Sequence, residues 1–347
     1  MLPYILLSVW VMSIILFQEN KNSDKMNRIF YYISILLFIF FYSIREDIGY
    51  DYGLYKSIIQ NNIQVAYLLK GEVLSALLME GAYMLEDYRY FFFFVAIISI
   101  PLYFYSIKTY SDLKNKWAWS VLAFLGLPIG LVQTLSVSRQ FVAIAIILFA
   151  TRYILKRNLI KYVICIIIAA MFHISSLFAI MYYIVSSEKY KYKYFIWILF
   201  IFIFIFIFKN YLVILFPDKA FYLDVVDWNE INGLSQILLY CLLSLIFIYL
   251  KKYIKIKDNY EKMLKIYIWS SMIALLFSFN TGILGIRLGM PGLSYIFILL
   301  PYIFEVINKK QRYIVKIMIY FLFLVLYIYN LYITTLEAYI PYKSFLF

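Results

Sequence analysis

The chain has 347 residues, of which 65% are hydrophobic, 22% aromatic and only 15% charged, with a mean hydropathy of +0.84. No soluble core can hide so much apolar surface, and the apolar runs are continuous rather than alternating, which excludes soluble domains and outer-membrane barrels and leaves an all-α polytopic membrane protein. The net charge of +13 is not a nucleic-acid footprint, because the basic residues sit in short loops between apolar runs; no nucleic-acid partner is expected.

In chain order, Leu2–Phe17 has no basic segment before it and no small-residue cleavage site after it, so it reads as a retained span rather than a signal peptide. Ile29–Ile44 returns across the membrane after the basic loop of Lys21, Lys25 and Arg28, which the positive-inside rule makes cytoplasmic and which puts the N-terminus outside. Residues 45–89 then form an external segment, whose later half, Val65–Leu85, reads as one interfacial helix interrupted by Lys70, Glu72 and Glu80. Tyr90–Ile107 goes in, Trp117–Val132 goes out, and a short outer turn at Ser136–Ser138 leads through Arg139 into Gln140–Leu155.

Tyr162–Val185 has the length of one span, yet a single crossing places the basic cluster Lys189–Lys193 outside and the acidic loop Asn210–Leu234 inside. Both violate the charge rule. Two short helices meeting near His173, as a broken or re-entrant pair, restore it, and such bends are tolerated where protein surrounds them. Tyr194–Phe208, Ser235–Leu250, Leu264–Phe279, Arg287–Phe304 and Tyr313–Ile333 complete the spans, leaving the tail Thr334–Phe347 outside. The count is about twelve crossings, or about ten with the re-entrant pair, in a single domain over 1–347. Cys165 and Cys241 lie within apolar runs and read as small apolar residues rather than a disulfide.

The polar exceptions are informative. Arg45–Tyr55 packs an arginine, three carboxylates and three tyrosines into eleven residues. Arg45, Arg139 and Arg287 each flank or enter a span from the outer side, where arginine either snorkels at the interface or marks a site, since it is costly at apolar depth and its planar fork suits phosphate. His173 is the sole histidine and sits at the break with Ser175 and Ser176, either as a proton acceptor or as a donor to phosphate. Asp47 and Asp51 are the other candidates for a base, with pairing to Arg45 as their alternative role. Tyr50, Tyr52 and Tyr55 either stack on sugar rings or form an interfacial belt. No nucleotide-binding loop and no histidine or cysteine cluster occurs, so no cofactor and no metal site is expected.

Arg45-x-x-Ile48-Gly49-x-Asp51-Tyr52-x-x-Tyr55 resembles the first-loop pattern of the EpsG family, which includes Wzy-type polymerases of bacterial surface polysaccharides. Ser138-Arg139-Gln140, then Ala169-Ala170-Met171-Phe172-His173-Ile174-Ser175-Ser176, then Arg287-Leu288-Gly289-Met290, and finally Pro341-Tyr342-Lys343 are similar to later elements of that family, in the same order; Pro291 stands where an aromatic often follows. The resemblance implies a polymerase of O-antigen or capsule repeat units in the bacterial cytoplasmic membrane, working at its outer face. Undecaprenyl-diphosphate-linked oligosaccharide is the implied substrate, and membrane lipid, a chain-length regulator and a flippase are the implied company. It implies Arg139 and Arg287 on the diphosphate with Arg45 beside them or orienting Asp47, and His173 as base with Asp51 second. Tyr52, Gln140, Ser175 and Lys343 complete the implied substrate-binding set. A flippase of the same lipid-linked oligosaccharide and a membrane O-acyltransferase are the competing readings.

Overall fold

Ser23 begins the second long helix by accepting the Met26 amide on its hydroxyl at 3.5 Å, and Asp87 begins a third in the same way, taking the Arg89 amide at 2.9 Å. The computed structural model describes residues 2–20, 23–110, 117–187, 234–251, 258–281, 283–306, 309–332 and 336–346. The basic cluster Lys189–Lys193, the run Tyr194–Phe208 and the acidic loop up to Gly233 lie outside the described residues. The first eleven helices are α1 Leu2–Asn20, α2 Asp24–Ser43, α3 Tyr52–Gln60, α4 Val65–Leu69, α5 Val73–Met84, α6 Arg89–Tyr110, α7 Trp117–Gly126, α8 Leu131–Ser136, α9 Ser138–Leu155, α10 Leu159–Phe172 and α11 Ile180–Val185. Leu234–Leu250, Asp258–Thr281, Ile283–Leu293 and Lys309–Tyr332 are the main later ones. The only strand-like pairing among the described residues is an isolated bridge between Arg45 and Ser344.

Five of the described helices are long and apolar enough to cross a membrane, and α5, α7, α10 and Leu234–Leu250 carry shorter apolar stretches. The protein is an all-α polytopic membrane protein. Three of the expected single helices are divided: Trp117–Val132 ends as α7 at Gly126 and resumes as α8 at Leu131 after a turn. Val65–Leu85 breaks into α4 and α5 because Gly71 turns at φ +78°, a conformation that L side chains resist. Arg287–Phe304 is instead the end of Ile283–Leu293 followed by short turns of helix, with Pro301 at the start of one of them. The broken pair at His173 is present: α10 stops at Phe172, a 3₁₀ segment covers Ile174–Ala179, and α11 runs back. Tyr162 at the start of α10 donates to the Ala179 carbonyl at 2.6 Å, and Arg157 donates to the Tyr183 carbonyl at 3.0 Å, so the two arms are antiparallel.

The described residues group into two compact units that interleave along the chain: 1–151, 163–177 and 296–347 form the first, and 152–162 with 178–295 the second. In the first unit, every residue of α7 is buried, among α1, α6 and Lys309–Tyr332. One end of this unit carries basic residues. Lys108 stacks on Tyr31 at 4.1 Å, and Glu19 pairs with Lys316 and accepts from Trp119. At the other end, residues 44–49 are clasped by residues 338–345. The Glu46 amide donates to the Lys343 carbonyl at 3.0 Å, Gly49 to Ala338 at 2.8 Å, and the Tyr4 hydroxyl to the Tyr339 carbonyl at 2.9 Å. The second unit is built on Asp258–Thr281, where Ser271 meets Ser244 at 2.8 Å and Tyr267 donates to the Tyr240 carbonyl at 3.0 Å.

Candidate functional site

The clasped end of the first unit gathers most of the polar side chains singled out by the sequence, and their hub is a residue the sequence did not mark. Glu72 follows the Gly71 turn at the N-terminal edge of α5, where its amide donates to the Tyr67 carbonyl at 2.9 Å. Its side chain does not cap α5. It points instead into the protein, 4% exposed, and accepts three bonds. One oxygen takes the His173 Nδ1 at 3.0 Å and the Ile174 amide at 3.1 Å; the other is paired with Arg139 Nη1. Ser75, one turn along the same face of α5, donates to the Phe172 carbonyl at 2.7 Å. Two side chains of α5 therefore grip the chain where α10 ends and fix the imidazole.

Because an ionised carboxylate only accepts hydrogen bonds, the contact at 3.0 Å puts the proton on Nδ1 and makes Nε2 the basic nitrogen of the neutral ring. Arg139 enters from the first turn of α9. Its Nε donates to the Tyr55 hydroxyl at 3.3 Å and its guanidinium lies 4.3 Å from the Tyr67 ring centre. Burial pushes the Tyr55 phenol up to about 12, opposed by Arg139 and reinforced by Asp51. Asp51, half-buried before α3, is within electrostatic reach of Tyr55 and Arg139. The result is a buried carboxylate that holds a cation on one oxygen and an imidazole on the other, with a second carboxylate beside them. Such a group can bind an anion and accept a proton.

The other residues are placed differently. Arg45 is fully buried, stacked 3.8 Å over Tyr42 and 4.7 Å over Phe92, with Nη2 donating to Ser138 Oγ at 3.0 Å and with no partner for Nε and Nη1 among the described residues. It braces the start of α9, next to Arg139. Tyr52 is buried too, stacked on Phe92 at 4.4 Å, and its hydroxyl donates to Glu46 at 3.0 Å; it supports the loop from within rather than forming a belt. Asp47 is exposed and stands 3.7 Å from Lys343. Gln140 is buried behind Arg139, and the Ser175 hydroxyl is buried with no hydrogen-bond partner among the described residues. Arg287 is half-buried in Ile283–Leu293, within the second unit. Among the described residues, no three histidine, cysteine, aspartate or glutamate side chains gather to hold a metal.

Glu72 and Tyr67 escaped the sequence reading because nothing local marks them. Glu72 lies 101 positions from His173 and 67 from Arg139, and a lone glutamate between apolar stretches looks like an interfacial residue. The one available signal was Gly71 before it, which divides the stretch and puts Glu72 at a helix start.

A helical membrane protein with arginine and histidine meeting on a buried glutamate at one end of its first unit is the class that fold and site define. The EpsG family model matches residues 28–344, nearly the whole chain, and the chain belongs to the EpsG family. That family includes Wzy-like polymerases, so this is a membrane protein of the polysaccharide-polymerase type. None of the curated proteins and none of the solved structures matches it.

Proposed function

We propose that the protein joins undecaprenyl-diphosphate-linked oligosaccharide repeat units at the outer face of the bacterial cytoplasmic membrane. The observation that carries this reading is the meeting of Arg139 and His173 on the buried Glu72 carboxylate. The acceptor's sugar hydroxyl attacks C1 of the donor's reducing-end sugar, and the C1–oxygen bond breaks with its electron pair leaving on undecaprenyl diphosphate. Positive charge is needed where the diphosphate departs, and a base where the hydroxyl loses its proton. Arg139 supplies the first and His173 Nε2 the second, with Asp51 the alternative base. Arg287, in the second unit, is assigned to phosphate on its motif alone. Gln140 and Ser175 shape the pocket, and Asp47 and Lys343 face the sugars from the rim. Arg45 and Tyr52 act by holding the loop and α9 in place. The side assignment draws on charge: the cluster lies at the end of the first unit opposite Lys108 and Lys316, and basic loops favour the cytoplasm.

The test is a lipid-linked single repeat unit supplied to the purified protein in vesicles. Longer oligosaccharides are expected from the wild type and none from Arg139→Ala or His173→Asn. Normal-length product from both variants ends the proposal. Unextended units appearing in the opposite leaflet make the protein a flippase, and an acylated unit makes it an O-acyltransferase.

A further inference from the structure

Glu72 serves a permanent cation and a titratable ring at once. Arg139 Nη1 is bonded to one carboxylate oxygen, and the His173 Nδ1 to the other at 3.0 Å. While the guanidinium is there, it neutralises Glu72, and the imidazole has little reason to hold a second proton. A diphosphate carries more negative charge than a carboxylate and suits the same planar fork, so the two compete for Arg139.

We infer that a diphosphate binding Arg139 draws the guanidinium away from Glu72, and that the uncompensated carboxylate then makes His173 a stronger base; the inference rests on the function proposed above. Glu72 cannot be satisfied by water instead, being buried, and it keeps the Ile174 amide at 3.1 Å and the His173 ring as its remaining partners. A buried carboxylate without a cation favours an imidazolium beside it. Among the described residues, titratable groups facing this trio include Asp51 and Tyr55 from the α3 side and Tyr67 from α4. During transfer the acceptor oxygen bonds to C1, the electron pair of the broken bond leaves on undecaprenyl diphosphate, and the hydroxyl proton passes to Nε2, with Nδ1–H remaining on Glu72. Once undecaprenyl diphosphate departs, Arg139 returns to Glu72 and the extra proton is released from Nε2 to water. Glu72 is thus a positioning residue that also reports the state of one substrate site to the base, so that the base is strongest only when a donor is bound.

His173 is the sole histidine, so ¹⁵N-histidine labelling of the full chain in nanodiscs gives the signals of this one ring. Inorganic pyrophosphate is the probe. The neutral ring of the wild type should carry its proton on Nδ1, and saturating pyrophosphate should raise its titration midpoint by about one pH unit. In Glu72→Gln the Nδ1–H preference should weaken and the pyrophosphate-induced rise fall to less than half, because only the direct field of the anion remains. If Glu72→Gln does not fold, Arg139→Met gives the converse reading: a midpoint already raised and unmoved by pyrophosphate. A wild-type midpoint that pyrophosphate leaves in place overturns the inference, whether binding or coupling is missing. So does an equal rise in Glu72→Gln, or an Arg139→Met midpoint at the unliganded wild-type value. The repeat-unit assay keeps the two readings apart. Abolished polymerisation in His173→Asn with a fixed midpoint refutes the coupling alone, whereas normal polymerisation in that variant refutes the function beneath it.

Discussion

Gly49→Ala is the sharpest test of how the signature loop is built. Gly49 has φ +99°, and a β-carbon there would lie 2.3 Å from the Leu135 carbonyl oxygen, where 3.0 Å is about as close as such atoms come. Relieving the clash must move the loop off the α8 segment, which strains two bonds: Gly49 N–H to the Ala338 carbonyl at 2.8 Å and Tyr50 N–H to Ser136 Oγ at 2.9 Å. The backbone conformation alone costs roughly 1–3 kcal/mol for an L-residue, and each weakened bond adds about 1 kcal/mol, so a loss of about 3–5 kcal/mol is expected. Two neighbouring glycines separate these causes. Gly71 also has positive φ, +78°, but open space around its β-carbon position, so Gly71→Ala should cost only about 1–2 kcal/mol. Gly53 has neither the positive φ nor a neighbour within 4 Å and lies in the first turn of α3, so Gly53→Ala should be neutral or stabilise by about 0.5 kcal/mol. Unfolding in mixed micelles with increasing SDS, followed by tryptophan fluorescence, gives all three values. A Gly49→Ala loss below about 1 kcal/mol, or one no larger than that of Gly71→Ala, refutes the packing of this loop against Leu135.

Glu72→Ala should lose about 3–5 kcal/mol in the same unfolding assay, because it strands Arg139 in a buried site, while Glu72→Gln should lose less; equal, small losses mean the carboxylate is not the hub. Arg45→Met should stay within about 1 kcal/mol of the wild type or gain stability, since among the described residues the cation it removes has two nitrogens without a partner and is stacked on aromatic rings; a loss above about 3 kcal/mol contradicts the cage as described. Burial raises the Asp87 carboxyl, but hydrogen bonds from Arg89 outweigh it and hold the group below its usual value. A depressed carboxyl contributes stability above its unfolded pKa and loses it as pH falls through the folded one. Arg89→Ala should therefore remove a small part of the acid sensitivity below about pH 4, well under 1 kcal/mol because the pair is partly exposed, and an unchanged pH profile argues that the pair contributes nothing.

Much of the fold was legible because membrane burial writes itself into local composition. The bend at His173 came from loop charge alone: a single crossing from Tyr162 to Val185 would have inverted every later loop, and the antiparallel arms joined by Tyr162 and Ala179 are what that reasoning requires. Arg139 and His173 were singled out because a polar residue in an apolar run is costly. Their meeting point was not legible, since Glu72 reaches both only after α4 and α5 fold back around Gly71. The depth of Arg45 was also hidden. Its surroundings come from Tyr42 and Phe92 beside it in space and from a serine 93 positions away, so nothing in the Arg45–Tyr55 stretch distinguishes a caged arginine from one that meets substrate.

The clasp between residues 44–49 and 338–345 sets an order of synthesis. The bond between Tyr4 and Tyr339 joins groups 335 positions apart, and the edge of the signature loop is completed by backbone from the same late segment. A nascent chain can insert α1 to α11 while its ribosome is still engaged, yet the loop holding Arg45 stays open on one side until residues 338–345 emerge. Residues 338–345 thus seal a loop made far earlier in the chain, and that end of the first unit closes only once they emerge. A fusion that pins this stretch elsewhere would insert normally and still leave that end unsealed.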